Sequence, residues 1–422
     1  MSVLQEIVAA NRAGARRGIA SVCSAHPMVL EAAVDAARAD GRPLLIEATC
    51  NQVNQEGGYT GMTAGDFHRF VAALATRRGL AADRLILGGD HLGPNPWRQE
   101  PAASAMAKAE ILVGSYAQAG FAKIHLDASM ACAGDPVPLP PELIAERAAR
   151  LARAAEATGA RPVYVIGTEV PVPGGAHEAL DVLEVTRTED LAGTIEIHDR
   201  AFRAAGLEDA WDRVLAVVVQ PGVEFGSEQV IDFVPGRAHA LAAAIRAVPR
   251  LAFEAHSTDY QTEASLAALV ERHFAILKVG PGLTFALREA LFALAAIEAE
   301  LLPAAERSGL RQKLDAAMLA DPGHWRGHHA GSARELERAR AFSLSDRCRY
   351  YWPVPEVAAA ADRLLANLTA IPLSLLSQYL PRAYDAVRAG RLEREPRALV
   401  RHAVRHVLAV YARACGEATT QV

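Results

Sequence analysis

Eight compact apolar runs, the helix-length segments between them and the polar groups at the end of every run predict an α/β protein. The expected architecture is a TIM (β/α)8 barrel over residues 1–302 with a mainly helical C-terminal extension over 303–422, capping the barrel. The runs are Gly18–Ala25, Leu44–Ala48, Leu85–Gly88, Lys123–Leu126, Val163–Ile166, Val214–Val219, Leu251–Ala255 and Ala275–Val279. Spacings of roughly 25 to 50 residues leave room for a loop and a helix between strands, the rhythm of βα units and a parallel sheet. Eight such units close into a barrel more readily than they spread into an open sheet; a doubly wound sheet is the alternative.

Each element has a local reason. Leu4–Ala15 has the spacing of a short amphipathic lead-in helix, and the first strand ends at His26-Pro27 before the helix Met28–Asp40. Thr63-Ala-Gly-Asp66 is a capping box for the helix Phe67–Arg78, since the acid can answer backbone donors of the first turn. The third strand ends abruptly: Gly88 and Gly89 disfavour a helix, Pro94 and Pro96 stop a ladder, and Asp90 and His91 are delivered to a loop. Pro141 and Glu142 open a long Ala/Arg-rich helix to Thr158, which Gly159 ends. After the eighth strand, Gly280-Pro-Gly282 opens the helix Phe285–Ala296. Beyond Leu302-Pro303 the rhythm stops, and helices follow with irregular stretches at 321–331 and 343–355.

Composition narrows the function classes. Hydrophobic residues make up 51% and charged residues 22% of 422, and 44 basic against 49 acidic side chains leave a net charge of only −5. That balance argues against nucleic acid or a membrane surface as partner. Five scattered cysteines without a C-x-x-C pair suggest neither a disulfide framework nor a zinc knuckle, so a reducing cytoplasm is expected. The N-terminus has no long apolar core, and no segment approaches the ~20 apolar residues of a membrane span. A P-loop is missing, because Gly57-Gly-Tyr-Thr-Gly61 lacks the lysine, and no G-x-G-x-x-G follows the first strand. Both a P-loop kinase and a Rossmann dehydrogenase are thereby disfavoured.

In a barrel, catalytic groups come from the C-terminal strand ends and the loops after them. Here those ends carry His26; Glu47 and Asn51; Asp90 and His91; His125 and Asp127; Thr168 and Glu169; Gln220 and Glu224; Glu254, His256 and Asp259; and Lys278 with Gly280. Imidazoles on strands three and seven, with carboxylates on strands five and six, point to a divalent cation of Zn²⁺-like preference. The favoured ligands are His91, His256 and Glu224, with Glu169 or Gln220 as substitutes for Glu224. The turn Gly280–Gly282 offers free backbone N–H groups at a helix start, a common phosphate position in barrels. In the extension, Arg347 and Arg349 stand among aromatics and suit phosphate or carboxylate recognition.

Several stretches resemble the GatZ/KbaZ family: Gly88-Gly-Asp-His-Leu-Gly-Pro-Asn95, Lys123-Ile-His-Leu-Asp-Ala-Ser129, Ile166-Gly-Thr-Glu-Val-Pro-Val-Pro-Gly-Gly175, Gln220-Pro-Gly-Val-Glu-Phe225, Glu254-Ala-His-Ser-Thr-Asp-Tyr-Gln261, Lys278-Val-Gly-Pro281 through Leu287-Arg288, Ser345–Pro353 and Leu375–Pro381. The resemblance covers nearly the whole chain. It implies tagatose phosphate metabolism, under three labels: non-catalytic Z subunit of a class II tagatose-1,6-bisphosphate aldolase, tagatose-6-phosphate kinase, or D-tagatose 6-phosphate 4-epimerase. Asp90-His91 is also similar to the Asp-His pair of class II aldolases, whose His binds zinc and whose Asp is an acid/base; His256 falls where a later zinc His lies. Strand six departs, because Gln220 or Glu224 stands where those enzymes have another His.

The kinase label fits least, for want of a nucleotide cradle. The polar strand ends favour the epimerase over the subunit. The C4 hydrogen of a 2-ketose is not adjacent to the ketone, so C4 inversion without a nicotinamide implies retro-aldol cleavage and recondensation at C3–C4. Asp90 and Asp259 are the expected acid/base residues, with Asp127 and Glu169 positioning groups or supporting the metal. Gly280, Gly282, Arg347 and Arg349 are the expected phosphate anchors of a small sugar phosphate. Homo-oligomerisation and a class II aldolase partner both stay open.

Overall fold

The computed structural model describes residues 1–167 and 183–416. Its centre is a closed barrel of eight parallel strands: β1 Ile19–Val22, β2 Leu44–Thr49, β3 Leu85–Leu92, β4 Lys123–Leu126, β5 Val163–Ile166, β6 Val214–Val218, β7 Ala252–Ala255 and β8 Phe274–Val279. The strands pair in chain order, and β8 closes on β1 with Ile19 opposite Ile276 and Val22 opposite Val279. All eight expected runs become strands, and the doubly wound alternative falls. Near-continuous apolar runs suit them, because a barrel strand is covered by side-chain layers inside and by helices outside.

The lead-in helix, Val3–Arg12, begins at a Ser2/Gln5 capping box. Its Leu4, Ile7 and Val8 join Ile19, Leu45, Ile86, Val165, Leu215 and Ile276 in one apolar cluster, plugging the N-terminal end of the barrel. The helix Ala64–Arg77 starts at Thr63, whose hydroxyl and Asp66 cap each other as expected. With the bottom closed, polar groups converge at the opposite end.

β3 runs further than the sequence suggests, through Asp90 and His91 to Leu92. The polar pair sits inside the strand, not on a loop. Its pairing with β4 breaks register between Gly89 and Leu92, and His91 takes φ 47°. Such a bulge re-aims side chains that would otherwise alternate between faces.

The C-terminal helices both cover and complete the barrel. The helix Pro396–Ala414 returns to pack against the helices Pro27–Asp40 and Glu263–Glu271 and against β1. The Tyr411 hydroxyl donates to the Thr258 carbonyl at 2.7 Å, and the Gly18 N–H donates to the Cys415 carbonyl at 3.1 Å. The turn Arg347–Tyr351 reaches over the mouth, where Tyr350 meets Tyr59 edge-on at 4.9 Å and buried Arg288 pairs with Asp346 at 2.7 Å. Among the described residues no helix is long and apolar enough to cross a membrane.

Candidate active site

At the C-terminal end of the barrel, Asp90, His91, His256, Asp259, Lys278, Gly280 and Arg349 line one cavity, with Cys23, Gln52, Tyr59 and Tyr350 on its walls. Alternation explains the convergence. Lys123, His125 and Asp127 follow one another at intervals of two on β4 and its end, as do Glu254 and His256 on β7, so each set faces inward. β3 contributes two adjacent residues only because of its bulge. Gly93 permits that approach, since a Cβ there would collide with the Asp127 carbonyl.

Three imidazoles are held by their outer nitrogens. His91 Nδ1 meets Asp127 Oδ2 at 2.7 Å, His256 Nε2 meets Glu254 Oε1 at 2.9 Å, and His125 Nε2 meets the Gly167 carbonyl at 3.1 Å. Each of these oxygens accepts, so each outer nitrogen donates. Burial alone would raise both carboxylates. His91 outweighs it at Asp127, and Lys123 and Lys278 outweigh it at Glu254, so both stay below the usual carboxylate range. The inner nitrogens then face one another: His256 Nδ1 is 3.0 Å from His91 Nε2. Burial pushes His256 down to about 3, leaving it neutral; at His91 burial acts the same way, but Asp90 and Asp127 raise it overall. A proton on His91 can bridge the gap.

A divalent cation fits the same place. Donor atoms of Asp90, His91, His125 and His256 all lie within 4.8 Å of one another. Imidazole nitrogens whose far sides are tied to carboxylate or carbonyl are the usual arrangement of metal ligands.

Asp90 is paired with Lys278 Nζ at 2.7 Å. Burial would raise the carboxyl, but Lys278 and His91 hold it well below the usual range. Lys278 is in turn raised, burial being overcome by Asp90, Glu254 and Glu47, with Glu47 in direct contact. The carboxylates around Lys278 thus favour its ammonium form. Lys278 also pairs with Glu47 and Asp90, which with Cys23 form a second group of ligand-type residues among the described residues.

Asp259 is placed differently. Its Oδ1 accepts the N–H groups of Gly280 at 2.9 Å and Gly282 at 2.7 Å, and burial raises its carboxyl to about 6. The glycine donors expected to meet phosphate are thus occupied by Asp259. Arg349 faces the cavity, with Nη2 3.0 Å from the Tyr350 hydroxyl and no carboxylate at ion-pair distance among the described residues. Arg347 is buried against His328 and Tyr350 and does not line it.

The metal set read from sequence is not gathered as written. His91 and His256 come together, but Glu224 lies outside the cluster, in a short ribbon of Glu224–Phe225 with Val230–Ile231. Its Oε1 accepts the Phe225 N–H at 2.9 Å, its Oε2 is buried without a partner among the described residues, and burial raises it to about 7. Gln220 caps its own turn by accepting from Gly222 and Val223. Glu169 and Thr168 lie outside the described residues. His125, Lys278, Glu47 and Glu254 stood among the polar strand ends of the sequence without an assigned role, and Lys123 was not singled out at all. Their signal was the shared inward parity of 123, 125 and 127 and of 254 and 256.

A family model described as D-tagatose-1,6-bisphosphate aldolase subunit GatZ/KbaZ-like matches residues 4–416. The chain is 51% identical to a crystal structure of a probable tagatose 6 phosphate kinase from Sinorhizobium meliloti 1021, with a TM-score of 0.89 over 94% of this chain and 100% of that one. It also shares its fold with the fructuronate-tagaturonate epimerase UxaE from Cohnella laeviribosi, at 11% identity and a TM-score of 0.50, over 96% of this chain and 82% of that one.

Proposed function

The chain belongs to the GatZ/KbaZ-like family, and from that premise we propose that it is a metal-dependent sugar-phosphate epimerase, interconverting D-tagatose 6-phosphate and D-fructose 6-phosphate at C4 by retro-aldol cleavage and recondensation. The observation that carries this reading is the inward convergence of His91, His125 and His256 beside two carboxyl groups of opposite disposition, Asp90 and Asp259. The three imidazoles would hold the cation. When bound, a divalent ion supplies Lewis-acid polarisation of the C2 carbonyl.

The chain's own groups account for the proton transfers. Two carboxyls pushed apart in pKa divide acid and base work between them. Asp90, kept ionised by Lys278, accepts the O4 proton as the C3–C4 bond opens and its electron pair moves toward the C2 oxygen. The Lys278 ammonium balances the charge that develops there. The three-carbon aldehyde phosphate stays anchored at Arg349, turns its other face, and C3 adds back to C4. Asp259, near 6, returns a proton to O4 on the new face. Asp90 then releases its proton to solvent and Asp259 takes one up, which restores both groups, so the cycle balances without nucleotide or nicotinamide.

A second reading draws on the family description, which names an aldolase subunit: the chain would support a class II tagatose-1,6-bisphosphate aldolase without reacting itself. Assaying the purified chain with and without chelator, in the absence of any aldolase, separates the two. Chelator-sensitive interconversion supports the epimerase; an inert chain that raises the activity of an added aldolase supports the subunit.

A further inference from the structure

Lys123 is fully buried in the barrel interior beneath the site. Its Nζ lies 2.6 Å from Glu47 Oε1 and 2.7 Å from Glu254 Oε2. The other oxygen of Glu254 receives His256 Nε2 at 2.9 Å, and the other oxygen of Glu47 receives Lys278, which reaches Asp90 at 2.7 Å. A chain of alternating charge thus runs from His256 through Glu254, Lys123, Glu47 and Lys278 to Asp90, drawing on β7, β4, β2, β8 and β3.

Stability alone does not account for it. Buried ion groups gain little over well-packed apolar side chains of similar size, because desolvation offsets their attraction. Orientation does depend on it: Oε1 is shared by His256 at 2.9 Å and Lys278 at 3.4 Å, whereas Oε2 has Lys123 as its ion-pair partner among the described residues, so without Lys123 one end of the carboxylate is no longer held. We propose that Lys123 is a positioning residue for His256: by clamping Glu254 Oε2 it directs Oε1 at His256 Nε2 and so fixes the ring with Nδ1 toward His91 Nε2. The other two rings are held without a lysine: at Asp127, which meets His91, Ser129 holds Oδ1 through its N–H and hydroxyl, and His125 meets the Gly167 backbone carbonyl. The consequence for metal affinity rests on the metal reading above; the consequence for the ring itself does not.

Two readouts keep these apart in the full-length chain. Nitrogen-15 imidazole spectra of the metal-free wild type are expected to show His256 as the Nε2–H form with a slowly exchanging proton. Lys123→Met is expected to give mixed tautomers and fast exchange, and Lys123→Arg to restore the wild-type pattern. With Co(II) as probe, Lys123→Met is expected to bind about 10–100-fold more weakly, the range for losing an outer-shell partner. Lys123→Gln, which keeps a polar donor but removes the charge, covers the case in which Lys123→Met does not fold; the same direction of change at His256 and in Co(II) affinity is expected, with Glu254 untouched. Folded variants with an unchanged His256 spectrum and wild-type Co(II) affinity would overturn the inference. A wild type that takes no Co(II) would defeat the metal reading instead, and the spectra alone would then decide the role of Lys123.

Discussion

His91 Nε2 and His256 Nδ1 stand 3.0 Å apart while the far nitrogen of each ring is bound to a carboxylate, Asp127 or Glu254. Rings so constrained require a proton or a cation between them. The reconstituted chain is therefore expected to hold about one divalent ion per molecule. His91→Ala, His125→Ala and His256→Ala should each lose the ion and at least ~100-fold in activity with unchanged circular dichroism. Elemental analysis and a chelator titration check this, and full activity in metal-free folded variants would contradict it.

Glu224→Gln distinguishes the cluster from the ligand set first read in the sequence. Metal content should not change, because Glu224 stands apart from the imidazoles. Its folded pKa of about 7 lies above the unfolded value. The folded state therefore holds its proton more tightly, and stability attributable to the neutral acid is lost as pH rises from the unfolded value through about 7. The melting temperature of Glu224→Gln relative to wild type should rise across that window. Loss of metal would reinstate Glu224 as a ligand.

Asp259 carries the same sign. Raised to about 6 by burial, it penalises the folded state increasingly as pH climbs from about 4 through 6. Asp259→Asn, whose amide oxygen can still accept from Gly280 and Gly282, should gain up to roughly 2–3 kcal/mol over wild type between pH 4 and pH 7, since each pKa unit is about 1.4 kcal/mol. Denaturant titrations at the two pH values measure it. The same variant should lose ~100-fold or more in kcat, the scale of one general acid.

Arg349 and Arg347 should separate cleanly. Arg349→Ala, which strips the cavity of a guanidinium held by the Ser345 and Asp346 carbonyls and the Tyr350 hydroxyl but by no carboxylate among the described residues, should raise KM for the 6-phosphate about 10–100-fold, matching a charge-assisted contact of ~1.5–3 kcal/mol. Arg347→Ala should instead lower stability, because its guanidinium packs on His328 and Tyr350 away from the cavity. Equal KM effects would place both on the substrate.

The barrel was legible because apolar runs at βα spacing have few other solutions: Leu44–Thr49 and Lys123–Leu126 read as strands from residue type alone. Asp90, His91 and His256 were legible as strand ends. The β3 bulge was not, since Leu85-Ile-Leu-Gly-Gly reads as a strand with or without the register break between Gly89 and Leu92. Nor could spacing show that Asp259 would take the N–H groups of Gly280 and Gly282. Glu224 looked like a ligand by sequence because spacing places a carboxylate near a strand end without showing whether its oxygens join the imidazole cluster, which they do not. Lys123 hid as one more charge in an apolar run.

The most direct measurement is the incubation of the purified, metal-loaded chain with D-tagatose 6-phosphate in deuterated water, without ATP, NAD or aldolase. The expected result is D-fructose 6-phosphate that keeps its original hydrogen at C4, because retro-aldol chemistry moves the C3–C4 bond and leaves the C4–H bond intact. Deuterium at C4 would contradict the retro-aldol route, and no conversion, together with activation of an added class II aldolase, would contradict the epimerase itself.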